Sequence, residues 1–325
     1  MSRLKPFVVL TAFLILAWSG ATGAEDSYPS RSIRLIVGFA AGSSGDVTAR
    51  IVSRKLGDLL GQSVIVENRP GASGMVATDT VARGAKDGYT LLLATIAATI
   101  NTTLMPSKGV NFERDLAPVV LIGSIPNILV VSPKLGVNNV KELIALAKEK
   151  PDGLFYGAAG LGSGPHLATE LFKSMAGIKM TGVLYPGSAQ TVTDLLAGRI
   201  QVMFAPASTV LGLMKNGSVK ALATSQLRRA SATPALPTIA EAGLPGYDAG
   251  LWFGIMAPAG TPQPLIDKLS RAANAALKDA EVLKELHVQG LDALGGSPEE
   301  FGVFIKSETE RWARIIKQMD LVKEK

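Results

Sequence analysis

Cysteine is absent from this 325-residue chain, and histidine occurs only at His166 and His287. Without cysteine the chain has no disulfides and no thiol that could carry a lipid anchor. Cysteine and histidine are the main protein ligands of zinc and similar metals, so two histidines provide little material for such a site. We therefore expect no metal and no cofactor.

Aromatic residues make up only 6% of the chain, and acidic and basic residues are mixed along it without a block of one sign. Proteins that bind nucleic acids concentrate Lys and Arg in stripes or runs, often beside aromatic residues. We therefore expect no nucleic-acid partner. The formal net charge of +6 is mild, and it favours the approach of small anions.

The common catalytic motifs are also missing. Neither glycine-rich loop of the chain contains the lysine of a phosphate-binding P-loop, and Pro165 stands where a dinucleotide fingerprint beginning at Gly160 needs its third glycine. No Gly-x-Ser-x-Gly motif surrounds any serine. The sequence predicts no catalytic residue, and we expect a protein that is not an enzyme.

The N-terminus has the three parts of a secretory signal peptide: Arg3 and Lys5, an apolar run over residues 7–18, and small residues up to Ala24. The apolar run is shorter than the ~20 residues that span a bilayer, which favours cleavage near Ala24 over an uncleaved anchor. Removal of residues 1–24 lowers the formal net charge from +6 to +4. We expect the mature protein in the periplasm, as a monomer.

Segments 32–95 and 154–205 show the same order of elements. Each begins with an apolar strand and passes through a glycine-rich loop into a helix that ends at Gly61 or Gly177. A short strand, a Pro-Gly turn, a second helix and an apolar strand follow in both. The pattern predicts two βαβαβ halves; chance similarity between two generic α/β stretches is the alternative.

The fold class that follows is α/β with two lobes, each a mostly parallel sheet flanked by helices. The first lobe is predicted to contain residues 25–127 and, because the C-terminal helices pack back on it, residues 250–325. The second lobe contains residues 128–249, and the chain crosses between lobes at residues 128–131 and 251–255. A ligand cleft is expected between the lobes, outside the carboxyl ends of the strands.

The two glycine-rich loops, residues 38–46 and 157–166, each lead from a strand into a helix. Unpaired N–H groups and the macrodipole make a helix N-terminus favourable for an anion, and Ser43, Ser44 and Ser163 can add hydroxyl donors. Two such loops across a cleft predict a site for a small carboxylate. The alternative is a pair of tight turns that only reverse the chain.

Four side chains near these loops have two interpretations each. Asp46 is expected to cap the first helix, with pairing to a ligand ammonium group as the alternative. His166 either donates a hydrogen bond to a carboxylate or is an ordinary helix-start residue. Trp252 and Phe253 are expected in the hinge or core, with the cleft lining as the alternative.

Several longer motifs resemble the Bug family, the TctC-like extracytoplasmic solute receptors of tripartite tricarboxylate transporters. These motifs are Gly38-Phe39-Ala40-Ala41-Gly42-Ser43-Ser44-Gly45-Asp46, Glu67-Asn68-Arg69-Pro70-Gly71-Ala72, Gly160-Leu161-Gly162-Ser163-Gly164-Pro165-His166 and Trp252-Phe253-Gly254-Ile255-Met256-Ala257-Pro258. The resemblance covers essentially the whole mature chain. It implies a type II-like, Venus-flytrap binding protein that captures a di- or tricarboxylate or an aromatic acid and delivers it to membrane permease subunits.

The resemblance also implies where the ligand is held. Matched position by position, the ligand-binding residues are Phe39, Ala41, Gly42, Ser43, Ser44, Gly45, Asp46, Gly162, Ser163 and His166, with Thr95, Ala97, Ala205 and Pro206 expected nearby. The sequence departs from the family where Gly38, Ala41, Ser43 and Gly45 replace proline, proline, glycine and threonine. Ala205 stands where many relatives have aspartate, which argues against an amino-acid ligand.

The sequence therefore supports a solute receptor first. An exported enzyme acting on a carboxylate is the second hypothesis, and for it Asp46, Ser163 and His166 are the only candidates. A third is an exported sensor module that signals to a membrane partner. Two neighbouring genes for membrane subunits would favour transport, and a neighbouring sensor kinase would favour signalling.

Overall fold

A computed structural model of the protein describes residues 28–106, 110–319 and 321. The predicted signal peptide lies outside these residues. In the described parts of the chain, no helix has both the length and the apolar character needed to cross a bilayer.

The described residues form two sheets and the helices that cover them. The strands are β1 (Ile33–Val37), β2 (Val64–Asn68), β3 (Thr90–Thr95), β4 (Leu116–Ile125), β5 (Asn127–Val131), β6 (Phe155–Ala158), β7 (Thr181–Leu184), β8 (Val202–Pro206), β9 (Lys220–Thr224), β10 (Leu251–Pro258) and β11 (Asp292–Ala293). The α-helices are α1 (Ser44–Leu60), α2 (Met75–Ala82), α3 (Ile96–Leu104), α4 (Phe112–Asp115), α5 (Val140–Glu149), α6 (Gly164–Ala176), α7 (Ser188–Ala197), α8 (Ala207–Lys215), α9 (Gln263–Ala276), α10 (Ala280–Val288) and α11 (Pro298–Gln318). Short 3₁₀ helices cover Ala72–Gly74 and Pro133–Leu135.

Each sheet is the centre of one lobe, which confirms the predicted two-lobed α/β fold. The first lobe has the strand order β11-β4-β10-β3-β1-β2, and the second has β7-β6-β8-β5-β9. The sheets are mixed, which differs from the mostly parallel form expected. In the first lobe β10 runs antiparallel to β3 and β4, and in the second β5 runs antiparallel to β8 and β9. The chain enters β5 from the first lobe and β10 from the second lobe. Neither strand follows a crossover helix within its own sheet, the connection that makes neighbouring strands parallel.

The predicted repeat is present in the strand pairing. In the first lobe β1 pairs in parallel with both β2 and β3, and in the second β6 pairs in parallel with both β7 and β8. Helices α1 and α6 follow the matching glycine-rich loops and end at Gly61 and Gly177, both left-handed. A left-handed glycine is a common helix stop, so the same local signal ends the same element twice.

The chain crosses between lobes slightly earlier than predicted. Residues 128–131 lie inside β5 and residues 251–255 lie inside β10, and both strands are buried along their whole length. The crossings are the step from Ile125 to Asn127 and the segment between Thr224 and Leu251. The two apolar runs predicted as crossings are therefore central strands. A strand that is buried on both faces is apolar along its whole length.

The C-terminal helices pack on the first lobe, as expected. Helix α11 contacts α3 and β4, and α9 contacts α1 and β4. Trp312 and Ile316 on α11 are fully buried, and Ser297 with Glu300 forms a capping box at the start of this helix. These contacts fix the sheet that carries the first glycine-rich loop.

Candidate functional site

The first glycine-rich loop turns β1 into α1 through Gly42, which has a φ of 78°. Ser43 is the N-cap of α1, and its Oγ accepts a hydrogen bond of 3.3 Å from the backbone N–H of Asp46. The Asp46 carboxylate accepts a 2.9 Å bond from the N–H of Gly42. Ser43, rather than Asp46, therefore caps the helix. Asp46 is the third helical residue, so its side chain reaches back to the backbone that precedes the helix.

The Asp46 carboxylate is buried and fully used within the first lobe. It receives hydrogen bonds from Nε of Arg50 (3.1 Å) and from Nδ2 of Asn68 (2.9 Å), and Asn68 also donates to the carbonyl of Phe39. Burial alone would raise the pKa of Asp46, but the hydrogen bonds from Arg50, the Gly42 N–H and Asn68 outweigh it and leave this pKa below its ordinary value. The side chain holds the loop in shape.

The second glycine-rich loop repeats this arrangement with a different side chain. Ser163 is the N-cap of α6 and accepts a 3.3 Å bond from the N–H of His166, while Nδ1 of His166 accepts a 3.4 Å bond from the N–H of Gly162. Gly162 has a φ of 75°, like Gly42 in the first loop. His166 thus stands where the first loop has Asp46. A nitrogen that accepts from a backbone N–H carries no proton, so this arrangement belongs to neutral His166.

Electrostatics around His166 agree with a neutral ring. Burial lowers the pKa of His166 below its ordinary value, while nearby Glu170 acts against this and Lys173 acts with it. The residue is buried, with 6% exposure. Of the two sequence interpretations, the helix-start role describes this contact.

A cavity lies between the lobes where several helices begin. It is lined by the first residues or N-caps of α1, α3, α6, α7 and α8 and by the start of β10. Its lining residues are Phe39, Ser43, Ser44, Gly45, Thr95, Ile96, Ala97, Ala159, Ser163, Gly164, Pro165, Ser188, Pro206, Leu251, Trp252 and Phe253. The cavity has a volume of about 60 Å³.

No lining residue of this cavity has an ionisable side chain. An anion placed there would meet hydroxyl groups, such as those of Ser44 and Thr95, and the positive ends of five helix dipoles. Phe39, Leu251 and Phe253 supply apolar wall. The arrangement suits a small carboxylate with a hydrocarbon body.

The cavity brings together eight of the residues predicted from the sequence: Phe39, Ser43, Ser44, Gly45, Thr95, Ala97, Ser163 and Pro206. The other six lie outside the lining. Ala41 and Gly42 are exposed on the outer side of the loop, Asp46, Gly162 and His166 support the loops from behind, and Ala205 is buried in β8.

Eight lining residues were not predicted individually, although Ala159, Gly164 and Pro165 lie in the second predicted loop and Trp252 and Phe253 were considered. They are Ile96, Ala159, Gly164, Pro165, Ser188, Leu251, Trp252 and Phe253. Ser188 follows the second Pro-Gly turn, so the repeat was a signal that could have located it. Trp252 and Phe253 belong to the core, with 2% and 3% exposure, and they also line the cavity.

A larger groove of about 940 Å³ runs between α1 and β2 on the outer surface of the first lobe. We assign the functional site to the smaller cavity, because it lies between the lobes at the carboxyl ends of the parallel strands. Within residues 28–106, 110–319 and 321, no three His, Asp or Glu side chains are grouped so that they could hold a metal ion.

Comparison with known proteins gives the same picture. Residues 48–321 match the tripartite tricarboxylate transporter family receptor, TctC. Protein BugT of Bordetella pertussis is 38% identical over 320 residues, which are 98% of each chain.

Two solved structures from Rhodopseudomonas palustris extend this similarity. Rpa4515 with adipate is 36% identical, with a TM-score of 0.86 over 90% of this chain and 98% of that one. MatC (Rpa3494) with bound malate is 29% identical, with a TM-score of 0.83 over 89% of this chain and all of that one. The chain therefore belongs to the TctC family of periplasmic solute receptors, together with the Bug proteins.

Proposed function

We propose that this protein is a periplasmic receptor that encloses a small organic carboxylate between its lobes and delivers it to the membrane subunits of a tripartite tricarboxylate transporter. One observation carries the proposal: five helix N-termini converge on a cavity that has no ionisable side chain. Such a cavity can neutralise a carboxylate by backbone N–H groups and hydroxyls without a lysine or arginine. The function is binding, without chemistry on the ligand.

The ligand class is a di- or tricarboxylate or an aromatic acid. The relatives Rpa4515 and MatC hold adipate and malate, both dicarboxylates. An amino acid would also bring an ammonium group, which needs an acidic partner, and the cavity lining contains no Asp or Glu. Asp46 does not serve, because its carboxylate is already bonded to Gly42, Arg50 and Asn68.

The chain is organised for export in this proposal. Residues 1–24 are a signal peptide removed near Ala24, residues 25–127 and 250–325 form the first lobe, and residues 128–249 form the second. The ligand contacts fall on the two loops, mainly through Ser43, Ser44 and Ser163, with Thr95 and Pro206 at neighbouring helix starts. The receptor acts as a monomer.

The proposal is tested with residues 25–325, unfolded and refolded to remove any co-purified ligand. Thermal midpoints are measured against aliphatic dicarboxylates, citrate-like acids, aromatic acids, acidic amino acids and neutral sugars, each acid beside its uncharged amide. Binding to the folded state raises the midpoint, by an amount that grows with ligand concentration over Kd. We expect a rise with one class of carboxylate and none with its amide. A response to sugars alone, or equal responses to acid and amide, would overturn the proposal.

A further inference from the structure

The turn after β2 has an unusual backbone. Gly71, Ala72, Ser73 and Gly74 have φ values of 143°, 44°, 51° and 92°, four positive values in succession. Ala72 and Ser73 are two of three non-glycine residues with positive φ in the described part of the chain. Residues other than glycine rarely adopt positive φ, because it is sterically unfavourable. Such strained segments persist where the surrounding structure holds them in place. We call residues 71–74 the strained turn.

The strained turn brings Ser73 to the opposite lobe. Ser73 Oγ donates a hydrogen bond to the backbone carbonyl of Leu161, in the second glycine-rich loop. A β-carbon added to Gly160 of that loop would lie 3.2 Å from Ser73 Oγ. Neither Ser73 nor Leu161 lines the cavity described above. The contact therefore joins the lobes beside the ligand site rather than within it.

The loop that Ser73 holds is the one that places ligand groups of the second lobe. Two residues after Leu161, Ser163 caps α6 and lines the cavity. A hydrogen bond that fixes Leu161 thus also fixes Ser163 against the first lobe.

We propose that Ser73 is a positioning residue and that the strained turn is a latch, which fastens the second glycine-rich loop when the lobes close. The predicted effect of the latch on ligand affinity rests on the proposed function. Its effect on lobe closure is a property of the ligand-free chain.

Asn101 opposes the latch. It lies on α3 of the first lobe with no exposed surface, and within the described residues neither its amide oxygen nor its amide nitrogen has a hydrogen-bonding partner. Gly162 of the second lobe is packed against it, since a β-carbon on Gly162 would lie 2.4 Å from Asn101 Oδ1. Burying an amide without a partner is unfavourable. Closure of the lobes therefore forms the Ser73 hydrogen bond but removes water from the Asn101 amide. These two effects oppose each other, so ligand binding decides whether the closed state is favoured.

The test measures the distance between the lobes. Because the chain contains no cysteine, spin labels can be attached at Lys148→Cys in α5 and Lys306→Cys in α11, two exposed positions in different lobes. Distance distributions are recorded by electron–electron double resonance without ligand and with the best carboxylate of the panel. Ser73→Ala and Ser73→Gly both remove the hydroxyl, and Ser73→Gly also relieves the positive φ.

We expect both Ser73 variants to shift the ligand-free distribution toward open lobes and to weaken carboxylate binding about three- to tenfold, the worth of one hydrogen bond. Asn101→Leu should shift it toward closed lobes. Thr80→Ala is the control, because the Thr80 hydroxyl donates a hydrogen bond within its own helix, to the Val76 carbonyl. It should change neither quantity.

Distributions for Ser73→Ala and Ser73→Gly that match the unsubstituted chain would overturn the latch. A shift with Ser73→Ala that Ser73→Gly abolishes would also overturn it, since the backbone strain and not the hydroxyl would then be responsible. If no carboxylate binds, the proposed function fails, while the ligand-free distributions still decide for or against the latch.

Discussion

Gly164 at the start of α6 lies directly against Leu251 at the start of β10, across the boundary between the lobes. A β-carbon on Gly164 would come within 2.2 Å of Leu251 Cδ2 and 3.1 Å of Ile96 Cγ2. Gly164 has helical backbone geometry without positive φ, so its own conformation does not require glycine. The requirement comes from the other lobe. The second glycine-rich loop thus serves the cleft in two ways, by its helix N-terminus and by the close approach that a missing side chain permits.

Gly164→Ala is expected to weaken carboxylate binding about 5- to 150-fold, because the added methyl group obstructs closure at a cost of ~1–3 kcal/mol. The ligand-free thermal midpoint should be unchanged or slightly higher, since alanine is the better helix former. Calorimetric titration and thermal unfolding measure the two effects. Gly212→Ala in α8 is the matched control, because among the described residues its added β-carbon has no neighbour within 4 Å beyond the adjacent backbone of its own helix. Equal affinities of the two variants would contradict this use of Gly164.

Asp46→Asn should lower the free energy of unfolding by ~1.5–3 kcal/mol near pH 7, because it removes the charge from the hydrogen bonds with Gly42, Arg50 and Asn68. The pKa of Asp46 is lowered in the folded protein. Its stabilisation is therefore complete above the unfolded pKa of about 4 and is lost as pH falls through the folded value. Denaturant unfolding should show the difference between variant and parent shrinking below about pH 4.

The control for this prediction is Asp79→Asn. Asp79 pairs with Arg83 on an exposed helix face, with side chains 44% and 63% exposed, and exposed pairs contribute little. A loss at Asp79 as large as that at Asp46 would show that the first loop does not depend on the buried carboxylate.

Ser43 and Ser44 are adjacent, yet their substitutions should have different effects. Ser43 caps α1 as well as lining the cavity, so Ser43→Ala should lower the unfolding free energy by ~1 kcal/mol and also weaken carboxylate binding. Ser44 is the first helical residue and lines the cavity. Ser44→Ala should leave the ligand-free midpoint unchanged and weaken carboxylate binding about three- to tenfold through the lost hydroxyl. Calorimetry measures the binding, and equal unfolding free energies of the two variants would contradict the capping role of Ser43 alone.

Carboxylate affinity should be constant between about pH 6.5 and 8, because His166 is neutral there and supports the loop from behind. Since burial lowers the folded pKa of His166, its contribution to stability is complete above the ordinary value of about 6.5 and falls as pH drops below it. Proton NMR of a His287→Gln variant isolates the His166 signals, because the chain has only two histidines. An affinity that falls steadily as pH rises through 7 would instead indicate a cationic His166 bound to the ligand.

The parts of this structure that local sequence signals control were predictable. Glycines at helix ends and Pro-Gly turns follow from backbone conformation, so the repeat in residues 32–95 and 154–205 could be read directly. Ser43 and Ser163 were predicted as hydroxyl donors to a ligand, but their capping roles were not predicted, since Asp46 was expected to cap the first helix.

Long-range relationships were not predictable in the same way. The apolar runs of β5 and β10 contain no signal for strand direction, so the mixed sheets and the positions of the crossings appeared only in the structure. The approach of Gly164 to Leu251 depends on how two lobes meet, and residues 164 and 251 are far apart in sequence. Asp46 and His166 were recognised as important, but their roles behind the loops depend on partners that only the fold brings near.

The most direct test of the central claim is calorimetric titration of refolded residues 25–325 with adipate and malate, each beside its uncharged diamide, in 0.05 M and 0.5 M salt. We predict one-to-one binding of at least one acid and none of its diamide. Because the cavity has no ionisable side chain, the affinity should change little between the two salt concentrations. Diamide binding as tight as that of the acid would contradict a carboxylate held by converging helix N-termini.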